Sequence, residues 1–352
     1  MTPAATATHR RRHTWPGRLA EYVLTERVVL LTVLLVVVAG WFMALDANLY
    51  LVAPYDAGYL ASALESLVPL CLLALAELLV IVSGRGGIDL SVGAIVSLAG
   101  MVFGFCVGVW GLPLLTSVAV CLAVGTLLGA VNGFLTAYVR VPPLIATLAT
   151  YYAYSSIALV SNDNAPISNR PVQDLSGLGR PVELGGLFVP RQVFTILLPC
   201  LVLMWLVVNR ATYGRKLYAV GTNDVAATFA SLSVPRVRFT AYAGAGLLAG
   251  IVAVVTVAQF ASARPDAGTV GNGMALPAIT IAVLGGVAIQ GGVGTVGGVV
   301  VAALLVTWLN AGLLLAFEGS EGSQYQLLAL GVVLVLSALL NTFTLRRYGR
   351  LS

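Results

Sequence analysis

Any chemistry in this chain has to come from few residues. The acids that lie inside its apolar runs are Glu65 and, deeper in the same run, Glu77. Twelve positions separate them, roughly 120° around a helix, so they share no face and make no acid pair. An acid at membrane depth is either functional or a polar contact bonded inside a bundle, and Glu77 fits both readings. Both histidines, His9 and His13, precede the first apolar run, so no histidine serves hydrolysis or a proton relay. No G-x-x-x-x-G-K-[ST] phosphate loop occurs. Gly292-Val293-Gly294-Thr295-Val296-Gly297 matches G-x-G-x-x-G, but it follows an apolar segment and meets no acid until Glu318. It reads as a tight turn and not as a dinucleotide site. Cys71, Cys106, Cys121 and Cys200 each sit in an apolar run without CxxC pairing, as buried free thiols do. The residues therefore predict no enzyme, no metal and no cofactor.

The elements that would position these residues are membrane helices. Of 352 residues, 59% are hydrophobic and 9% charged, against about 25% charged in soluble domains. The net charge of +5 sits at segment ends and forms no single patch, which excludes nucleic-acid binding. Ten runs approach the length needed to cross a bilayer: 28–45, 60–82, 90–109, 113–138, 143–160, 193–208, 237–260, 275–290, 297–317 and 325–343. The first is long enough to span and no small-x-small cleavage site follows it, so it reads as an uncleaved helix. The eighth is short and glycine-containing, hence bent or partly inserted. With the N-terminus inside, Arg170, Arg180, Arg191 and Arg264 fall outside and the remaining basic residues inside, as the positive-inside rule requires. This predicts an all-α integral membrane protein of about ten helices with both termini cytoplasmic: a tail 1–27, one membrane domain 28–343 and a tail 344–352. Residues 161–192 read as an ordered outer loop. Residues 209–236 form an inner loop between two five-helix halves.

Two segments stand apart. In the inner loop, Asn209 to Lys216 is a basic exit from the membrane. Gly221-Thr222-Asn223-Asp224 is a turn with helix-capping residues. Val225 to Leu232 reads as a short small-residue helix that Val234-Pro235-Arg236 ends. It is too small for its own core, and reads either as a docking element for a soluble partner or as a solvated connector. The second segment is SGRGGIDLSVGAIVSLAG, 83–100. Gly84, Gly86 and Gly87 end the second span, and Asp89 or Ser91 caps the third. Gly93, Ala94, Ser97, Ala99 and Gly100 let helices approach closely. This is either a packed break facing protein or a cavity, or a tight cytoplasmic hairpin.

GGIDLSVGAIVSLAG also resembles the signature of permease subunits of bacterial ATP-binding-cassette monosaccharide importers, the ribose, xylose, galactose and arabinose group. VPPLIATLAT at 141–150, YGRKLYAVGTNDVAATFASLSVPRVR at 213–238 and LPAITIAVLGGVAIQGGVGTVGG at 276–298 continue the likeness in the family's order. SARPDAG at 262–268 looks closest to the rhamnose and autoinducer-2 branch. One departure is the insertion of Gly84-Arg85 between Ser83 and Gly86, which alters that turn. The resemblance implies a type II importer in the bacterial cytoplasmic membrane: two permease copies or paralogues of about ten helices in the lipid bilayer, an ATPase subunit below and an extracytoplasmic sugar-binding protein above. It implies alternating access driven by the partner's ATP hydrolysis. The segment matching the family's coupling helix assigns ATPase contact to Gly221, Asn223, Asp224, Ala226, Ala227 and Ser231. Candidates for a weakly polar sugar path are Glu77, Asp89, Ser91, Asn132, Gln259 and Asn310. The rival reading is an ion-coupled secondary transporter of a small polar solute, which would use Glu77 and no docking loop.

Overall fold

A computed structural model describes residues 26–270, 273–317 and 320–348. Residues 1–25 of the predicted N-terminal tail and 349–352 of the C-terminal tail lie outside the described residues.

Apolar runs become helices because a spanning backbone must satisfy its own hydrogen bonds. Among the described residues, eight helices are long and apolar enough to cross a membrane. They are α1 (Arg27–Ala47), α2 (Ala57–Val82), α3 (Val92–Val109), α4 (Leu114–Ala137), α5 (Pro143–Val160), α6 (Val193–Arg210), α9 (Val234–Phe260) and α11 (Val296–Ala316). Between α6 and α9 lie two short helices, α7 (Thr212–Thr222) and α8 (Asp224–Phe229). The predicted eighth span is the ten-residue α10 (Ala275–Leu284). At about 1.5 Å per residue it covers roughly half the hydrocarbon core. It stops at Leu284 instead of 290 because Gly286, Gly291 and Gly292 take positive φ and turn the chain back. The predicted tenth span falls in α12 (Ser320–Tyr348), of which Gln324–Leu336 is a shorter apolar stretch.

The predicted outer loop holds a helical turn, Arg170–Gln173, and an antiparallel hairpin, β1 (Pro181–Leu184) with β2 (Leu187–Pro190). Gly185-Gly186, both at positive φ, make its two-residue turn.

α2 is the hub. From Leu67 to Val82 nearly every side chain is buried, walled by α9, α11, α10 and the end of α7. α4 packs on α9 through Gly125, Gly129 and Gly133. A Cβ on Gly125 would stand 2.6 Å from the Gly246 carbonyl oxygen, and one on Gly129 would stand 2.8 Å from Gly246 Cα. Apolar side chains give no net hydrophobic advantage against lipid, so this close backbone approach supplies the packing energy. The opposite face of α4 stays outward, with Leu127, Val131, Phe134 and Tyr138 exposed.

Candidate functional site

The structure divides the predicted path residues into a closed knot and an open face. Glu77, Asp89, Ser91 and Asn132 come together and all have zero exposure. Ser91 donates to Asp89 Oδ1 through its backbone N–H (2.9 Å) and its hydroxyl (2.7 Å). The Asn132 amide reaches Ser91 Oγ at 2.6 Å and Asp89 Oδ2 at 3.3 Å. Thr150 donates to Asn132 Oδ1 at 2.7 Å, and the Asp89 N–H points at Glu77 Oε2 at 3.3 Å. The knot thus ties α2, α3, α4 and α5 around the break at 83–91. Burial pushes the Asp89 carboxyl above its usual range, opposed by the bonds from Ser91 and Asn132. Glu77 is enclosed in the bundle, with Oε2 accepting from the Asp89 N–H and Oε1 buried without a hydrogen-bond partner among the described residues. Of the two readings of the glycine segment, the geometry is that of a break packed in protein.

Gln259 and Asn310, both half-buried, each line a cavity. A cavity of about 420 Å³ is lined by Glu65, Ser66, Leu70, Thr256, Gln259 and Met274 among others. A second, of about 450 Å³, is lined by Tyr59, Ser62, Ser66, Leu70, Thr307, Asn310 and Gln326 among others. Ser66 and Leu70 belong to both, so the cavities adjoin along one face of α2. Ser62, Glu65 and Ser66 are exposed there, on the helix that is otherwise the most enclosed. Their i, i+3, i+4 spacing inside an apolar run is a readable sign of a polar stripe that the charge inventory alone overlooks. Tyr55, just before α2, and Tyr59, in its first turn, donate to the Trp308 and Ala311 carbonyls of α11, and Tyr59 lines the second cavity.

Pro69 lies inside α2 and has no N–H for the Glu65 carbonyl. Gln259 Nε2 donates to that carbonyl at 2.9 Å and to Gln192 Oε1 at 2.9 Å.

On the opposite side of the bundle, the predicted short helix exists as α8, from Asp224 to Phe229. Asn223 caps it, accepting from the Ala226 N–H at 2.9 Å. Asp224 pairs with Arg238 of α9 at 3.0 Å. Three sequence expectations are corrected. Asn209 to Lys216 is no simple exit, because Thr212 opens α7, an 11-residue helix that buries Gly214, Leu217 and Val220. Gly221 ends α7 inside the helix and does not lie in a turn. Val234-Pro235-Arg236 starts α9, as a proline in a first turn does.

Gly221 packs against the Val82 carbonyl and Gly292, and a Cβ on Gly84 would sit 2.9 Å from Gly221 Cα. Ala227 is also buried, at 4% exposure. Asn223, Ala226 and Ser231 face outward, beside Val225 at 62% and Phe229 at 87%. Those two exposed apolar side chains on a fixed two-turn helix were not singled out from sequence, where they read as ordinary members of a short apolar run. Among the described residues no cluster of three potential metal ligands occurs.

The family described as Branched-chain amino acid transport system / permease component matches residues 59–338. The ribose import permease protein RbsC of Escherichia coli (strain K12) is 32% identical over 260 residues, 72% of this chain and 77% of the relative. The autoinducer 2 import system permease protein LsrD of Enterobacter sp. (strain 638) is 35% identical over 253 residues, 69% and 72%. LsrD of Escherichia coli (strain SMS-3-5 / SECEC) is 31% identical over 316 residues, 84% and 91%. No solved structure matches. A multi-pass helical bundle with four-fifths of its length matched in this way belongs to that family of membrane permeases.

Proposed function

We propose that the chain is the membrane-crossing subunit of an ATP-driven importer for a monosaccharide or a related polyol-like solute. Two such subunits, copies or paralogues, would alternate between outward-open and inward-open states. The solute would arrive from an extracytoplasmic binding protein, and the drive would come from a cytoplasmic ATPase, with both chain termini on that side. The observation that carries the reading is the paired cavities on the polar stripe of α2. Their lining offers hydroxyl and amide groups, and Glu65 is the single charged side chain among the residues that form them. A sugar needs such partners and must be released again. An amino acid, the solute class in the family's description, needs a cation or helix N-terminus for its carboxylate, and these linings supply no basic side chain. The relatives that carry ribose and autoinducer 2 in their names support the same choice.

An ion-coupled carrier would need a mobile, accessible acid: Glu77 is fully enclosed, which leaves the exposed Glu65 of the first cavity as the acid such a carrier would have to use. The test is uptake into proteoliposomes holding this chain with its ATPase and binding protein. Ribose uptake that requires hydrolysable ATP is expected. Uptake driven by an ion gradient without the ATPase, or uptake of leucine in place of sugars, would overturn the proposal.

A further inference from the structure

The inserted Arg85 opens onto a groove separate from the two cavities of the proposed solute path. The groove has a volume of about 500 Å³ and is lined by Arg85, Arg140 and Arg238, with Asp224, Val225 and Pro235 among the remaining residues. Arg238 is committed to Asp224 at 3.0 Å and to the Ser83 carbonyl at 3.3 Å. Arg85 and Arg140 are exposed, and neither has an ion pair or a hydrogen bond among the described residues. Three guanidinium groups against the Asp224 carboxylate leave an excess of two positive charges. Both free arginines hold positive φ, +60° and +68°, a region that costs a side-chain-bearing residue roughly 1 kcal/mol or more. The loops thus keep a strained conformation that presents two unpaired cations to one opening.

What leads into the groove indicates its occupant. The exposed stripe of α4, Leu127, Val131, Phe134 and Tyr138, runs down one face to Ala137 and Arg140 at the groove's edge. Phe134 stacks on Tyr138 at 5.9 Å, and Tyr138 meets Phe239 edge-on at 5.9 Å. Aromatic side chains at a helix end mark headgroup depth, and an apolar stripe below them suits an acyl chain. Paired guanidinium forks fit phosphate oxygens, and basic pockets between membrane helices suit anionic headgroups. We infer that the groove between the α4–α5 loop, the 83–87 turn and α8 holds the phosphate headgroup of an anionic phospholipid, with an acyl chain along α4. The site touches Asp224 and Val225 of α8, so the lipid contacts the helix proposed to meet the ATPase. The inference stands without that proposal.

The test is native mass spectrometry of the purified full chain, titrated with phosphatidylglycerol or phosphatidylcholine. Wild type is expected to retain phosphatidylglycerol selectively. Arg85→Gly/Arg140→Gly should retain it about tenfold less, and glycine suits both backbone conformations, so folding is not threatened. The charge-matched Arg180→Gln/Arg215→Gln control should behave as wild type. Equal retention of both lipids, or undiminished retention by the glycine variant, would overturn the site. Complete displacement of the lipid by millimolar inorganic phosphate would overturn it in favour of a free-phosphate site. Binding seen only once the ATPase is added would assign the arginines to a protein contact instead.

Discussion

Gln259 of α9 donates to the carbonyl of Glu65 in α2, 194 residues away, at 2.9 Å. Pro69 makes this bond necessary, because the Glu65 carbonyl is the one a residue at 69 would otherwise satisfy. In a bilayer an unpaired carbonyl costs far more than in water. Gln259→Leu is therefore expected to destabilise the chain by about 1 kcal/mol. In a Pro69→Ala background, where a backbone N–H returns, the same substitution should cost measurably less. A double-mutant cycle on thermal unfolding in detergent reads this coupling, and strict additivity would refute it.

Gly221 lies where two glycine-rich breaks converge. It touches the end of α2 on one side and the return loop after α10 on the other, where the Gly292 N–H also bonds the Val82 carbonyl at 3.0 Å. Tyr218 adds a bond to the Gly294 carbonyl at 2.6 Å. Movement of α7 and α8 would thus reach the ends of α2 and α11 directly. Gly221→Val should destabilise by about 1–3 kcal/mol through overpacking. Gly297→Ala, with no neighbouring atoms around the added methyl, should not. Equal melting temperatures for the two variants would dismiss the convergence as a mechanical joint.

The Asp89 knot predicts different outcomes for two substitutions. Asp89→Ala removes the acceptor for both Ser91 donors and leaves the Asn132 amide with fewer partners, at a cost of about 1–3 kcal/mol. Asp89→Asn keeps an acceptor there and removes the titration. The Asp89 carboxyl is raised by burial, so its contribution is complete below the unfolded-state pKa and is lost as pH rises through the raised folded value. Wild-type stability should therefore carry a downward step with rising pH that Asp89→Asn lacks. Identical pH profiles for the two proteins would show that the Asp89 carboxyl is not raised in the folded state relative to the unfolded chain.

The helix inventory was legible because each spanning run must be both long and apolar, and the capping role of Asn223 was legible because its chemistry is local. What stayed hidden depends on distant partners. Thr212–Thr222 has few apolar residues and includes Arg215 and Lys216, so only its contacts with Val82, Gly84, Gly291, Gly292 and Gly294 reveal it as a buried-face helix. Asn132 was read as a path residue because a lone amide in an apolar run suggests a solute partner. Its hydrogen-bond partners in the fold, Ser91, Asp89 and Thr150, lie 41, 43 and 18 residues away. Gly125, Gly129 and Gly133 had the spacing of a packing ridge, yet the spacing alone does not reveal that Gly246 and Gly250 answer it.

Ala226 and Ala227 looked equivalent in sequence, and the fold separates them. Ala227→Glu would bury a charge against the bundle and is expected to impair folding itself. Phe229→Asp alters a side chain that is 87% exposed and should leave the stability within about 0.5 kcal/mol of wild type. If α8 is the ATPase contact, Phe229→Asp should nonetheless abolish co-purification of the ATPase. An unchanged pull-down from a folded Phe229→Asp protein would move the contact elsewhere.

Ser66 is exposed and lines both cavities, so on the proposed solute path it stands at their junction. Ser66→Trp adds bulk to that junction without touching the α2 core, which begins at Leu67. Uptake in the reconstituted system should fall about tenfold or more while ATPase co-purification persists, since a narrowed constriction hinders passage without altering the motor. Leu148→Trp, on an outward apolar position of α5 that is 43% exposed, provides the comparison. It adds similar bulk where lipid can yield, and should leave uptake near wild type. Unimpeded uptake through Ser66→Trp would place the path on another face, because no solute of sugar size could pass that junction beside an indole.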